Sequence, residues 1–166
     1  MKKLLMIGIC LVALILIVSC ATGYDNSPIE DVVSVVEVSG VSSADLFVKS
    51  NSWMVDAFKN SESVIQFSDK EAGVIKGKFI LNNMPIGAMG VKGTIESTIT
   101  IETKEGKARI SLSYNNAYTD MVMYGKYYKK DMGTAINPDG RKQYFAACDG
   151  MIASFTAAIK SENASW

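Results

Sequence analysis

Val91-Lys92-Gly93-Thr94-Ile95-Glu96-Ser97-Thr98-Ile99-Thr100-Ile101-Glu102-Thr103, then Lys104-Glu105-Gly106-Lys107, then Ala108-Arg109-Ile110-Ser111-Leu112-Ser113-Tyr114-Asn115 is the stretch that decides the fold. In its first arm Val91, Gly93, Ile95, Ser97, Ile99 and Ile101 share one side, and Lys92, Thr94, Glu96, Thr98, Thr100 and Glu102 share the other. In its second arm Ala108, Ile110, Leu112 and Tyr114 alternate with Arg109, Ser111, Ser113 and Asn115. A period of two held across both arms predicts an antiparallel hairpin with one buried face and one wet face. Slipping by one residue would invert every side chain, so the register is strongly specified. The apolar face needs a cover, which the rest of the chain must supply.

Two segments have the spacing to provide it. Ser42 offers an N-cap with Asp45 in the capping-box position, and Leu46, Phe47, Trp53, Met54, Ala57 and Phe58 follow at helical intervals to about Lys59. Asn137-Pro138 suits a second helix start, and Tyr144, Cys148, Met151, Phe155 and Ile159 form one stripe that runs to about Lys160. Further strands are expected at Asp31–Val38, at Ser63–Phe67 with Ile65 and Phe67 on one face, and after the Ser68–Gly73 turn. There Ile75, Gly77, Phe79 and Leu81 alternate with Val74, Lys76, Lys78 and Ile80. Residues 118–134, rich in Tyr and Met, fit neither period; an extension or edge strand followed by loop is expected. The fold class is α+β: two layers, an antiparallel sheet with two helices on one face, in the order β-α-β-β-β-β-α, over residues 31–162.

The start of the chain has a different character. Met1-Lys2-Lys3 precedes an apolar run from Leu4 to Val18, interrupted by Gly8. As a helix these residues would rise about 22 Å, short of the roughly 30 Å hydrocarbon core. A basic start, an apolar run and small residues make a secretory signal peptide. Ile17-Val18-Ser19-Cys20 resembles a bacterial lipobox, which implies cleavage after residue 19 and acylation (palmitate or similar chains) of Cys20. The competing reading is an uncleaved anchor with an incidental Cys20. Acyl chains on Cys20 would exceed the two signals needed for stable anchoring. Residues 20–30 then serve as a lipidated Cys and polar tether. The expected location is exported and membrane-anchored, on the periplasmic side or cell surface, with the outer membrane favoured.

Composition removes several chemistries. The 166 residues carry 17 Lys+Arg against 17 Asp+Glu and no His. Loss of Lys2 and Lys3 with residues 1–19 leaves 15 against 17, a net charge of −2. Without a basic excess, nucleic acid is not an expected partner. Without His, triads, imidazole acid–base catalysis and His-bridged zinc sites in their common forms are excluded. Of Cys10, Cys20 and Cys148, the first leaves with the signal peptide and the second takes lipid, so no internal disulfide can form. The Asn163-Ala164-Ser165 sequon is read as chance.

The residues Val35-Val36-Glu37-Val38-Ser39-Gly40-Val41-Ser42, Trp53 in the helix, and Val64-Ile65-Gln66-Phe67-Ser68-Asp69-Lys70-Glu71-Ala72-Gly73-Val74-Ile75-Lys76-Gly77-Lys78 resemble a bacterial family of unknown function with a TBP-like fold, found mostly in Bacteroidetes envelope proteins. The resemblance covers about residues 33–115 well and the final helix loosely. It implies the same element order and carries over no catalytic residue. A shared fold does not license DNA binding.

Candidate sites follow from residue chemistry. The Asn82–Gly90 loop is apolar, and Met84, Ile86 and Met89, with Lys92 and Arg109 on the polar sheet face, are candidate contacts for another envelope protein; folding back of the loop residues onto the core is the competing reading. That polar face (Lys76, Lys78, Lys92, Thr94, Glu96, Thr98, Arg109, Ser111) is the concave surface that TBP-like folds often use. Lys126, Tyr127, Tyr128, Lys129 and Lys130 mix base with aromatic and are candidate contacts for an anionic ligand such as a glycan or lipid headgroup. Asp120, Asp131 and Asp139 are the carboxylates on which an envelope hydrolase would have to rest. Cys148, in an apolar stripe without a base, reads as core. No phosphate loop, metal-ligand spacing or cofactor motif is present. The expected function is a non-catalytic binding or assembly module in the cell envelope.

Overall fold

A computed structural model of the chain describes residues 27–58, 64–87 and 91–161. The signal peptide, Cys20 and most of the tether lie outside the described residues, as do Lys59, Ser63, Met89 and the sequon. Strand β1 (Val32–Glu37) leads to helix α1 (Ser43–Ala57), followed by β2 (Val64–Asp69), β3 (Val74–Pro85), β4 (Lys92–Lys104), β5 (Lys107–Met123), β6 (Lys126–Asp131) and helix α2 (Pro138–Lys160). The sheet order is β1-β5-β4-β3-β2, with β6 also paired to β5, and every pairing is antiparallel. Both helices cover one face, so the two-layer α+β class holds with one strand more than the sequence pattern counted.

Each helix begins as its cap predicts. The Ser42 hydroxyl oxygen accepts from the Asp45 N–H at 3.1 Å and donates to the Asp45 carboxylate at 2.7 Å. The Asn137 side-chain oxygen accepts from the Gly140 N–H at 2.7 Å, with Pro138 in the first turn where no N–H is needed. A Cβ on Gly140 would stand 2.5 Å from the Pro85 carbonyl oxygen, so only glycine lets α2 start this close to the end of β3.

Helix and sheet meet in one core. Leu46, Trp53 and Met54 of α1 and Tyr144, Cys148, Phe155 and Ile159 of α2 pack with Ile75, Phe79, Ile95, Ile99, Ile101, Ile110 and Leu112. Full burial stabilises by roughly 1.5–3 kcal/mol for each large aliphatic or aromatic side chain. The two helices are joined by Trp53, whose ring lies 5.1 Å edge-on to Phe155 and whose indole N–H donates to the Ser154 hydroxyl at 3.0 Å. The β4–β5 hairpin has the predicted register, with Lys104 opposite Lys107 and Ile101 opposite Ile110. Val91 departs from the pattern: it precedes β4 and is half exposed.

Three bulges redirect the side chains that follow them. Gln66 is an extra residue in β2, since Ile65 pairs with Gly77 and Phe67 with the next residue, Lys76. Ile65 therefore packs on the core while Phe67 is exposed, and the two do not share a face. In β3, Asn82 and Asn83 bulge between the Leu81–Ile95 and Met84–Gly93 pairs, and the strand runs on to Pro85 where a loop from Asn82 was expected. Asn115 is the extra residue in β5, because Tyr114 pairs with Ser97 and Asn116 with Glu96. Past it the inward positions become Ala117 and Thr119, both buried.

Residues 118–134 form a hairpin. β5 extends to Met123, Tyr124 and Gly125 turn the chain, and β6 returns with Tyr118 opposite Asp131 and Met123 opposite Lys126. β1 pairs with the first part of β5 (Lys107–Leu112) and β6 with its last part (Tyr118–Met123). A single 17-residue strand thus serves two partners along one edge.

Candidate binding surface

No element among the described residues covers the face of the sheet opposite the helices. Along it stand Val33 and Val35 from β1, Lys76 and Lys78 from β3, Thr94, Glu96, Thr98 and Glu102 from β4, and Arg109, Ser111, Asn116 and Tyr118 from β5, as register and alternation require. The face is polar at its centre and carries two exposed valines, Val33 and Val35, at the β1 edge.

Charges on this face are organised in two groups. Glu96 accepts from Lys78 at 2.8 Å and lies 3.6 Å from Lys129, whose ammonium sits 3.8 Å above the centre of the Tyr118 ring. The hydrogen bond from Lys78 and the two nearby cations hold the Glu96 carboxyl below its ordinary range, against a smaller opposing effect of burial. This chain links β3, β4, β6 and β5. The second group lies near the β4–β5 turn, where Arg109 Nε and Nη2 both donate to one carboxylate oxygen of Glu102, Oε2. Arg109 and Glu102 with Val35, Lys104 and Lys107 line a recess of about 190 Å³, with three cations against one paired carboxylate. A second recess of about 320 Å³ is lined by Asn82, Asn83, Lys92, Gly93, Thr94 and Asp120.

The structure separates several residues grouped by the sequence. Lys92 and Arg109 share the open face but belong to different recesses, and Lys92 to Glu102, the partner of Arg109, spans ten residues of β4, about 34 Å. Met84 and Ile86 are not available as contacts. Met84 is inward-facing in β3 and Ile86 is fully buried in the core, because the chain folds back under the start of α2, where the Asn137 N–H donates to the Ile86 carbonyl at 3.1 Å. Met89 lies outside the described residues.

The segment Lys126, Tyr127, Tyr128, Lys129 and Lys130 is gathered into β6. Lys129 turns to the open face, whereas Lys126, Tyr128 and Lys130 alternate to the other side and are exposed. Sequence patterning missed the roles of Tyr118 and Glu96 as the ring and carboxylate that hold Lys129; their signal is visible only once the hairpin register is known.

Of the three candidate carboxylates, the β5–β6 register sets Asp120 and Asp131 as diagonal neighbours on one face, a relation of about 7–8 Å. The Asp131 carboxylate accepts from Asn116 Nδ2 at 2.9 Å and from the Gly133 N–H at 2.8 Å, and these bonds lower its pKa, opposite to what a proton donor needs. Asp120 lies by the second recess, and Asp139 in the first turn of α2. No group of three or more His, Cys, Asp or Glu among the described residues has metal-binding geometry. Burial pushes the Cys148 thiol up to about 11, so it is not a poised nucleophile.

These features define a class: an α+β module whose sheet is backed by two helices and left open on its other face. The chain belongs to the family described as a domain of unknown function, DUF4468, with a TBP-like fold, whose profile matches residues 33–116. A DUF4468 family protein from Bacteroides ovatus has a similar crystal structure (TM-score 0.61, 16% identity, covering 87% of this chain and 96% of that one). A TBP-like protein from Parabacteroides distasonis is also similar (TM-score 0.58, 17% identity, covering 83% of this chain and 100% of that one). At such identities the likeness is one of fold. A search of curated proteins gave no match.

Proposed function

We propose that this chain is an exported lipoprotein, anchored through acyl chains on Cys20, whose single domain is a non-catalytic binding or assembly module of the cell envelope. The periplasmic side or cell surface is its place, with the outer membrane favoured. The observation that carries the module reading is the helix-free face of the sheet, polar at its centre and edged by exposed Val33 and Val35. An area open to solvent, built on rigid strands, suits recognition, whereas the Asp131 carboxylate, held below its ordinary range by its hydrogen bonds, does not suit the proton donor that hydrolysis needs. The anchoring reading is supported by the sequence Ile17-Val18-Ser19-Cys20 after an apolar run. Among the described residues no helix is long and apolar enough to cross a membrane.

Photo-crosslinkers at Lys92 and Arg109, one in each recess, test the module in intact cells. Reproducible capture of one envelope protein, lost when the face is blocked by Lys76→Glu, is the expected result; an empty capture from abundant folded protein rejects it. Cys20→Ala should abolish acyl labelling and membrane fractionation. A second reading, binding of a small anionic ligand, is favoured by the Lys104, Lys107 and Arg109 side chains around the first recess. A rise in Tm with anionic glycans or phospholipid headgroups, absent in Arg109→Ala, would identify it.

A further inference from the structure

The tip of the β5–β6 hairpin projects beyond the end of the β4–β5 ladder. β4 pairs with β5 only as far as Gly93 opposite Thr119, so from Asp120 onward β5 has β6 as its partner. A two-stranded ribbon therefore extends about 14 Å past the sheet, four residues at roughly 3.4 Å each. Its composition is unusual for a solvated ribbon: Met121, Val122, Tyr124 and Tyr128 are all exposed, and Tyr124 is 97% exposed. Lys126 at the tip and Lys130 just behind the ribbon's base are exposed on the same face as Tyr128, while Asp120 in the ribbon and Asp131 behind it occupy register positions on the other face.

Tyr124 is also in a backbone conformation that disfavours it. Its φ is +53° and that of Gly125 is +73°, a left-handed pair of the kind that Asn-Gly fills in two-residue hairpins. A tyrosine there costs about 1 kcal/mol or more relative to residues that tolerate the left-handed region. A ring this exposed recovers none of that from packing within the fold. An outlier without an internal compensation points to a role outside the fold.

The chain's own path says where the tip faces. β1 runs antiparallel to β5, from Val32 opposite Leu112 to Glu37 opposite Lys107, so the residues before Val32 head toward the end of β5 that carries the hairpin. Arg141, in the first turns of α2, holds them there by donating to the Ser27 carbonyl at 2.7 Å. From Cys20 to Ser27 is seven residues, a reach of at most about 24 Å. An anchor at Cys20 leaves the ribbon end of the domain toward the bilayer and within reach of it.

We propose, resting on the anchoring reading, that the β5–β6 hairpin is a second membrane contact whose tip enters the interface of an anionic phospholipid bilayer. Tyr124 and Tyr128 place apolar rings and polar hydroxyls at headgroup depth, where such side chains are favoured. Val122 and Met121 add apolar area, and Lys126 and Lys130 meet the anionic headgroups. Lys129 is engaged with Glu96 and Tyr118 and braces the base of the ribbon. With the domain held at two points, its open sheet face acquires a fixed orientation to the membrane.

The test uses the full lipidated chain reconstituted in phosphatidylglycerol–phosphatidylcholine vesicles, with an environment-sensitive fluorophore at Val122→Cys or, as a control at the far end of β1, at Ser39→Cys. Cys148 is buried and takes no label. A lipid-borne quencher should quench position 122 and leave position 39 bright. Lys126→Glu and Lys130→Glu should each weaken the tip's insertion by about fivefold, as should screening by salt in part. Vesicle flotation is read in parallel. A chain that floats while position 122 stays unquenched overturns the hairpin contact and leaves the anchor standing; a chain that does not float overturns both. Equal quenching in pure phosphatidylcholine overturns the anionic preference, and a response to soluble acidic polysaccharide as strong as that to vesicles replaces lipid with glycan.

Discussion

Single residues report how tightly the interior is balanced. The Ser50 hydroxyl is fully buried on α1 and has no hydrogen-bond partner among the described residues. A buried hydroxyl left unbonded is a net loss, so Ser50→Ala should raise stability by up to about 1 kcal/mol in urea unfolding. A second buried polar group is satisfied: the Ser97 hydroxyl meets the Tyr144 hydroxyl at 3.4 Å, beside Cys148. Desolvation pushes Cys148 up to about 11 and Tyr114 up to about 12, and raises Tyr144 as well. Groups whose folded pKa exceeds the unfolded value stabilise fully below the unfolded value and lose that contribution as pH climbs through the folded one. Stability should therefore hold at pH 8 and fall progressively from about pH 9 toward pH 12, as melting curves across that range would show. Cys148→Ala should flatten the first part of the decline. Cys148 as core was readable from its place in an apolar stripe. The burial of Met84 and Ile86 was not, because an apolar loop reads the same whether it projects outward or folds beneath a helix.

Elements were legible wherever their period ran uninterrupted. β4 alternates over 13 residues and β5 from Lys107 to Tyr114 without a break, and their register matches the pattern through Ile101–Ile110. Both helices were marked by cap and stripe together. Failures came at Gln66 and at Asn82-Asn83, since one inserted residue shifts every later side chain to the opposite face and leaves no mark in composition. The β5–β6 hairpin was obscured for a related reason. Its turn is Tyr124-Gly125, and a bulky residue in the left-handed position hides the signal that Asn-Gly would have given. Tyr124→Asn should thus stabilise the domain by about 1 kcal/mol while reducing insertion of the ribbon tip into vesicles. Opposite signs in melting and quenching separate a functional tyrosine from a tolerated one. Of the candidate surfaces, the polar face of the β4–β5 hairpin was visible from alternation; the chain from Lys78 through Glu96 and Lys129 to Tyr118 needed three strand pairings that no local pattern contains.

At the scale of the molecule, the six strands and two helices of the described residues enclose one core, and the only cysteine among those residues is free and buried within it. Most of the sheet is built from hairpins between neighbours in sequence, which form early and cheaply. β1 is the exception. Its partner is the first half of β5, and Val32 meets Leu112 after an interval of 80 residues. Closing that interval is the long-range step on which the sheet's edge depends, so folding should be single-exponential in the millisecond-to-second range, with Val36→Ala slowing it only if β1 docks before the barrier. Stopped-flow refolding monitored through Trp53 reads this directly. The shared edge of β5 also sets a timetable for a chain made from its N-terminus. At roughly 5–20 residues per second, β1 emerges about 4–16 s before the residues that complete its ladder. Throughout that wait Val32, Val33, Val35 and Val36 have no partner strand, and an unpaired β-branched run is the kind of segment that aggregates or is shielded by a holding chaperone. Of the strands, the first to be made waits longest for its partner, and only the emergence of β5 ends that wait.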